Sequence, residues 1–241
     1  MKINAIKTLL AVLLLALTSG PAAAAGGASN LEPSGINVND TASLQRGAKV
    51  FLNYCLSCHE ASYMRYKRLS EDLGLSEEMV MDNMIFGDAK IGDLMTIAMD
   101  PEDSARWFGK TPPNLTLIAR ARGADWLYGF LRSFYQDENG RWNNLLLPNA
   151  AMPHVMWSLQ GIQVMSHGEG DEAGQLELQT PGLMSLEEYD DTIRDLVAYL
   201  DYMSEPAKLK RKNVGVWVML FLAVFAFMAY LLKAEFWRDV H

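Results

Sequence analysis

Two thiols and an imidazole stand close together in the stretch NYCLSCHEA, residues 53–61: Cys55, Cys58 and His59, and the chain has no other cysteine. C-x-x-C-H is the attachment motif for c-type haem. Two thiols three residues apart, where a helix begins to turn, can add to the two vinyl groups of one haem, and the adjacent imidazole then comes under the iron as its proximal ligand. Other chemistries fit less well. A thioredoxin-type redox pair expects a βαβ setting, and none is visible. A zinc site needs four ligands, and no second cysteine pair exists. A disulfide across two intervening residues would staple very little chain and leave His59 without a role.

The far side of the iron decides what such a haem does, because a closed sixth position suits electron transfer and an open one suits gas binding or catalysis. Met152 leads among the 14 methionines. It lies in LPNAAMPHVMW between small residues and Pro153, in a stretch with no helical period, where a rigid loop can hold a thioether. Met79, Met81 and Met84 fall in an expected helix and read as packing residues. Met156, His154 and His167 stay open as alternatives. In KTPPNLTLIARAR, the Pro112–Pro113 turn offers carbonyls that could accept the His59 ring N–H, and Arg120 and Arg122 could pair with propionates.

The elements that must position these groups are mostly helical, joined by long loops. Residues 26–40 read as a polar, extended lead-in. Asp40 or Thr41 can cap a helix running to about Leu56 that contains Gln45, Gly47 and Phe51. Ser76 can cap a second helix through LSEEMVMDNMIFG. Further helices are expected at 124–135 and at 185–203, the latter from Leu186, Tyr189, Ile193, Leu196, Val197 and Leu200 at spacings of three and four. Within 168–182, QLELQT alternates and reads as a small hairpin or surface insertion.

Both ends carry membrane signals. Residues 1–25 have Lys2 and Lys7, an apolar run and a small-residue close, the layout of a cleaved secretory signal peptide. Its lack of arginine favours a bacterial export signal over a mitochondrial one. Residues 214–232 are uncharged and, as a helix, about 28 Å long, close to the hydrocarbon thickness of about 30 Å. Trp217, Tyr230 and Trp237 fall near its interfaces. The expected order is therefore a signal peptide (1–25), a periplasmic haem domain (26–207), a basic juxtamembrane segment (208–213), a transmembrane anchor (214–232) and a cytoplasmic tail (233–241) in the bacterial inner membrane. Lys208, Lys210, Arg211 and Lys212 then lie on the outer side, against the positive-inside bias, which a signal peptide can override for a long exported domain.

Residues 26–207 hold 13 basic and 27 acidic residues, a net of −14. So acidic a body makes nucleic acid an unfavourable partner and a basic docking protein a fitting one.

In their order, the signal peptide, CLSCH, TPPNLTLIARAR, NAAMPHVMW, the helix ending YLDYMSEP and the single span resemble the cytochrome c1 family, the haem subunits of cytochrome bc1 complexes. The resemblance covers essentially the whole mature chain. It implies a class I cytochrome c-like haem domain in which Gly47 and Phe51 of an early helix cross Leu196, Tyr199 and Leu200 of a late one. It implies one covalent haem c with His59 and Met152 as axial ligands, Pro113 against His59, Arg122 near a propionate, and Trp126 as an aromatic beside the haem. The implied role is non-catalytic electron transfer within ubiquinol–cytochrome c reductase. Its partners would be cytochrome b, the Rieske iron–sulfur subunit and a cytochrome c acceptor, in a dimeric complex. Many relatives carry the ligand Met within A-M-A-P-P, whereas Met152 is followed by Pro153 and His154, which keeps Met156 in view. Some relatives have an extra cysteine pair that is absent here. The alternative is a free-standing anchored cytochrome c acting as an electron shuttle or ligand sensor.

Overall fold

The structure, a computed structural model, describes residues 31–166 and 175–239. The expected signal peptide and His167 lie outside the described residues. The elements run α1 (Thr41–Val50), β1 (Ala61–Arg65), α2 (Lys67–Leu73), α3 (Glu77–Met84), β2 (Leu94–Met95), α4 (Pro101–Phe108), α5 (Ile118–Arg122), α6 (Ala124–Arg132), β3 (Phe134–Gln136), β4 (Trp142–Asn144), α7 (Trp157–Gln160), β5 (Gly161–Met165), β6 (Leu176–Pro181), α8 (Leu186–Ser204) and α9 (Lys208–Phe236). The fold is mostly α, as expected, with short strands in the loops.

Helix starts follow from their caps. The Asp40 carboxylate accepts from the Ala42 and Ser43 N–H groups at 3.1 and 3.2 Å, satisfying amides that the start of α1 leaves free. Ser76 does the same for Met79 N–H in α3. Ser185 and Glu188 form a reciprocal capping box at the start of α8.

Helices α1 and α8 cross at Gly47. A Cβ there would meet the Asp195 carbonyl oxygen at 2.0 Å, so only glycine lets the two backbones approach this closely. Arg46 grips the Asp195 carboxylate with two hydrogen bonds of 2.5 and 2.9 Å beside the crossing. One turn on, the rings of Phe51 and Tyr199 pack at 5.5 Å. Leu196, Tyr199 and Leu200 are buried, and the expected crossing is present.

Between these helices, α6 is shorter than the 124–135 expected. It stops at Arg132, and Phe134–Gln136 is a strand. Side chains distant in sequence take over the carbonyls at this point. Asn144 Nδ2 donates to Phe130 O at 2.8 Å, Gln160 Nε2 to Arg132 O at 3.0 Å, and Gln163 Nε2 to both Arg132 O and Phe134 O at 2.9 Å. The strand joins a four-stranded sheet of order β4-β3-β5-β6, in which only the β3–β5 pair is parallel. LELQT lies in β6, antiparallel to β5, so this stretch supplies one strand whose partner precedes residue 168.

Helix α9 holds a stretch long and apolar enough to cross a membrane, Asn213–Phe236, of mean hydropathy 2.4 and left uncovered by the other described residues. Its base is fastened to the end of α8. Lys208 pairs with Asp201 at 2.6 Å, and Arg211 with Glu205 at 2.6 Å. Part of the basic segment is thus directed inward at the protein.

Candidate haem site

Helix α1 does not simply end; it passes into one π turn, Phe51–Cys55, closed by Leu56 N–H on Phe51 O at 3.0 Å. Such turns recur at functional positions because they re-aim the residues that follow. The Cys55 carbonyl then accepts from both Cys58 N–H (3.1 Å) and His59 N–H (2.9 Å), curling the motif around a single oxygen. Cys55 is buried, Cys58 and His59 are half-buried, and both thiols are free. Burial, helped by the neighbouring Cys58, pushes the Cys55 thiol up to about 12, so it is protonated at neutral pH.

His59 Nδ1 lies 2.8 Å from the carbonyl oxygen of Pro113. A carbonyl can only accept, so Nδ1 carries the proton and Nε2 keeps its lone pair. Burial lowers the ring's pKa, against the opposing pull of that carbonyl, which favours the uncharged imidazole a metal needs. The proline turn is fixed in place by the strand after the motif. Leu115 N–H donates to Glu60 O at 2.8 Å, Tyr63 N–H to Thr116 Oγ1 at 3.3 Å, and Asn114 Nδ2 to Ser62 Oγ at 2.5 Å. Those staples were not evident in the sequence, although Asn114 and Thr116 belong to the same motif as Pro113.

The two arginines part company. Arg120 turns to Glu205 at 3.2 Å. Arg122 stays exposed, its guanidinium 5.0 Å above the Trp126 ring. From there an aromatic row runs inward: Trp126 stacks on Phe130 (4.9 Å, 10°), Phe130 meets Phe134 edge-on (5.0 Å, 69°), and Phe134 stacks on His154 (5.0 Å, 2°). Trp142 and Tyr189 enclose the His154 ring edge-on at 5.3 and 6.4 Å. His154 is 2% exposed, and burial lowers its pKa to about 4. It is walled in by protein.

Of the other sixth-ligand candidates, Met156 is equally buried, at 1% exposure, within the main core. Met152 is half-buried, against the core's edge.

A tethered haem suits this set. Two unoxidised thiols flank the motif, one imidazole nitrogen is occupied by a backbone carbonyl while the other is free, and a half-buried thioether sits on a loop anchored two residues later by a buried ring. Among the described residues no three His, Cys, Asp or Glu side chains converge as a cage for a bare metal ion. Residues 34–240 match the model of the Cytochrome C1 family. The chain belongs to the cytochrome c1 family. Membership brings a covalently bound haem c and electron transport in the respiratory chain, and the apolar helix α9 agrees with a membrane anchor. The chain is 47% identical to cytochrome c1 of Allochromatium vinosum, over 98% of its own length and 99% of the relative's. It is 46% identical to a Nitrosomonas europaea protein named ammonia monooxygenase gamma subunit, over 95% and 97%. A Bradyrhizobium diazoefficiens protein named cytochrome b/c1 is 27% identical over 84% of this chain and 34% of that one.

Proposed function

We propose that this cytochrome c1 family member is the electron-transfer subunit of a quinol–cytochrome c oxidoreductase, standing between a Rieske iron–sulfur donor and a cytochrome c acceptor, with no substrate chemistry of its own. The observation that carries this is the His59–Pro113 hydrogen bond, which leaves a neutral ring nitrogen free beside two unpaired thiols. When bound, the haem supplies a one-electron redox centre. Cys55 and Cys58 would hold it as thioethers, and His59 and Met152 would ligate its iron. Pro113 fixes the tautomer and direction of His59. Arg122 offers an exposed guanidinium for a propionate, and Trp126 backs that guanidinium.

The remaining surface fits docking. The acidic body would steer a basic acceptor toward the haem domain. Its place is the periplasmic side of a bacterial inner membrane, with residues 1–25 removed, α9 crossing once and the tail inside. Cytochrome b is the expected membrane partner, which the name of the Bradyrhizobium relative supports, and the complex would be dimeric.

Gentle detergent extraction followed by affinity purification tests this reading. The chain should travel with a b-type haem and a Rieske cluster, in a particle that reduces cytochrome c with quinol. Purification as a single c-type species would favour a free-standing shuttle or sensor. Enrichment with ammonia-oxidising activity would favour the setting named in the Nitrosomonas relative. A reporter fused after His241 should be active only in the cytoplasm.

A further inference from the structure

His154 has no part in the functional reading so far, yet its placement is unusual. The ring is stacked within 2° of parallel on Phe134, boxed by Trp142, and its Nε2 has no hydrogen-bond partner among the described residues. A phenylalanine would fill such a box without leaving a polar atom behind, and buried polar atoms normally find partners. One other orphan is informative: Gln160 Oε1 is buried and unpartnered as well, and the Gln160 amide is the side chain that faces the ring. The two atoms are complementary, since an imidazole N–H can donate and an amide oxygen can only accept.

We propose that His154 is a positioning residue for the Met152 sulfur, its protonated Nε2 turned to Gln160 Oε1 and its ring clamped in the aromatic box. The proposal rests on the reading of Met152 as an axial ligand. Gln160 is itself held, because its Nε2 donates to Arg132 O at 3.0 Å, where α6 gives way to β3. Pro153 is the only residue between Met152 and His154, and its ring restricts the backbone there. The His154 carbonyl also accepts from Trp157 N–H at 3.3 Å, at the start of α7. Position is thereby passed from the aromatic row to the thioether through two residues. A ligand loop built this way needs no disulfide.

The test uses the full-length, haem-loaded protein in detergent, with covalent haem per chain as the check on attachment and folding. Three variants are compared with the parent, Met152→Leu, His154→Phe and Gln160→Leu, by carbon monoxide binding to the reduced form and by the far-red sulfur-to-iron band of the oxidised form. His154→Phe keeps the stack and removes only the polar anchor. It and Gln160→Leu should each weaken the band and raise carbon monoxide affinity about tenfold or more, short of the complete conversion by Met152→Leu. Their combination should add little to either alone. Conversion by Met152→Leu with parental behaviour in both other variants overturns the positioning role and leaves the ligand assignment standing. No change in Met152→Leu overturns the ligand assignment itself. Should His154→Phe fail to accumulate, Gln160→Leu read alone decides between the same two results.

Discussion

His59 Nδ1 and the Pro113 carbonyl oxygen lie 2.8 Å apart, although 54 residues separate them in sequence. A backbone acceptor holds the imidazole, so the constraint is only as firm as the turn that presents it. Thr116 secures that turn: it is 2% exposed, donates to Asn114 Oδ1 at 2.7 Å and accepts from Tyr63 N–H at 3.3 Å. Thr116→Val keeps the shape but strands the Tyr63 N–H and leaves Asn114 Oδ1 only the Thr116 backbone N–H, at 2.9 Å. It should destabilise the haem domain by about 1–3 kcal/mol, the usual penalty for unsatisfied buried groups. Denaturant unfolding of the two proteins checks it, and equal midpoints would show the turn to be held elsewhere.

The approach of α1 to α8 at Gly47 makes a second, sharper prediction. Gly47→Ala forces a methyl group to within 2.0 Å of the Asp195 carbonyl oxygen, backbone that cannot rotate aside. Overpacking of this kind costs about 1–3 kcal/mol, against a helix-propensity gain of up to about 1 kcal/mol. Thermal unfolding should therefore move to lower temperature. An unchanged or higher Tm would mean that the helices do not cross this closely.

What could be read from the sequence was local or periodic. The C-x-x-C-H spacing, the Asp40, Ser76 and Ser185 caps, the apolar stripe of α8 and the span within α9 all announce themselves within a few residues. Gly47 and Phe51 were placed at the crossing through the family resemblance, and the structure puts them there. What escaped depends on partners far along the chain. Nothing near residue 132 says that α6 must stop, because the Asn144, Gln160 and Gln163 amides that take its last carbonyls come from later segments. His154 in a loop looks like a solvated side chain until β3, β4 and α8 close around it. Arg120 and Arg122 look equivalent in R-A-R, and only the fold shows that Arg120 reaches Glu205 while Arg122 covers Trp126.

Glu205 joins the haem domain to its anchor, receiving Arg120 from α5 and Arg211 from α9. Its carboxylate is partly shielded, but both arginine side chains are about 60% exposed. Pairs this wet are worth roughly 0–1 kcal/mol each. Glu205→Gln should thus lower stability by no more than about 1 kcal/mol, and the difference should shrink at high salt. A loss several times larger, or one indifferent to salt, would show that the joint is buried by a partner in the membrane.

The acidic body predicts how the acceptor arrives. With a net of −14 over residues 26–207, the bimolecular rate of electron delivery to a basic cytochrome c should fall steeply as ionic strength rises. Stopped-flow traces over a salt series measure this directly. A flat salt dependence would remove electrostatic steering from the account.

The central claim is that His59 and Met152 together close the iron. The most direct measurement is the far-red absorption of the oxidised, full-length protein, where a thioether bound to low-spin ferric haem gives a weak charge-transfer band. The account predicts that band in the parent and its loss in Met152→Leu, with covalent haem content unchanged. A parent lacking the band, or a Met152→Leu protein that retains it, would contradict the account.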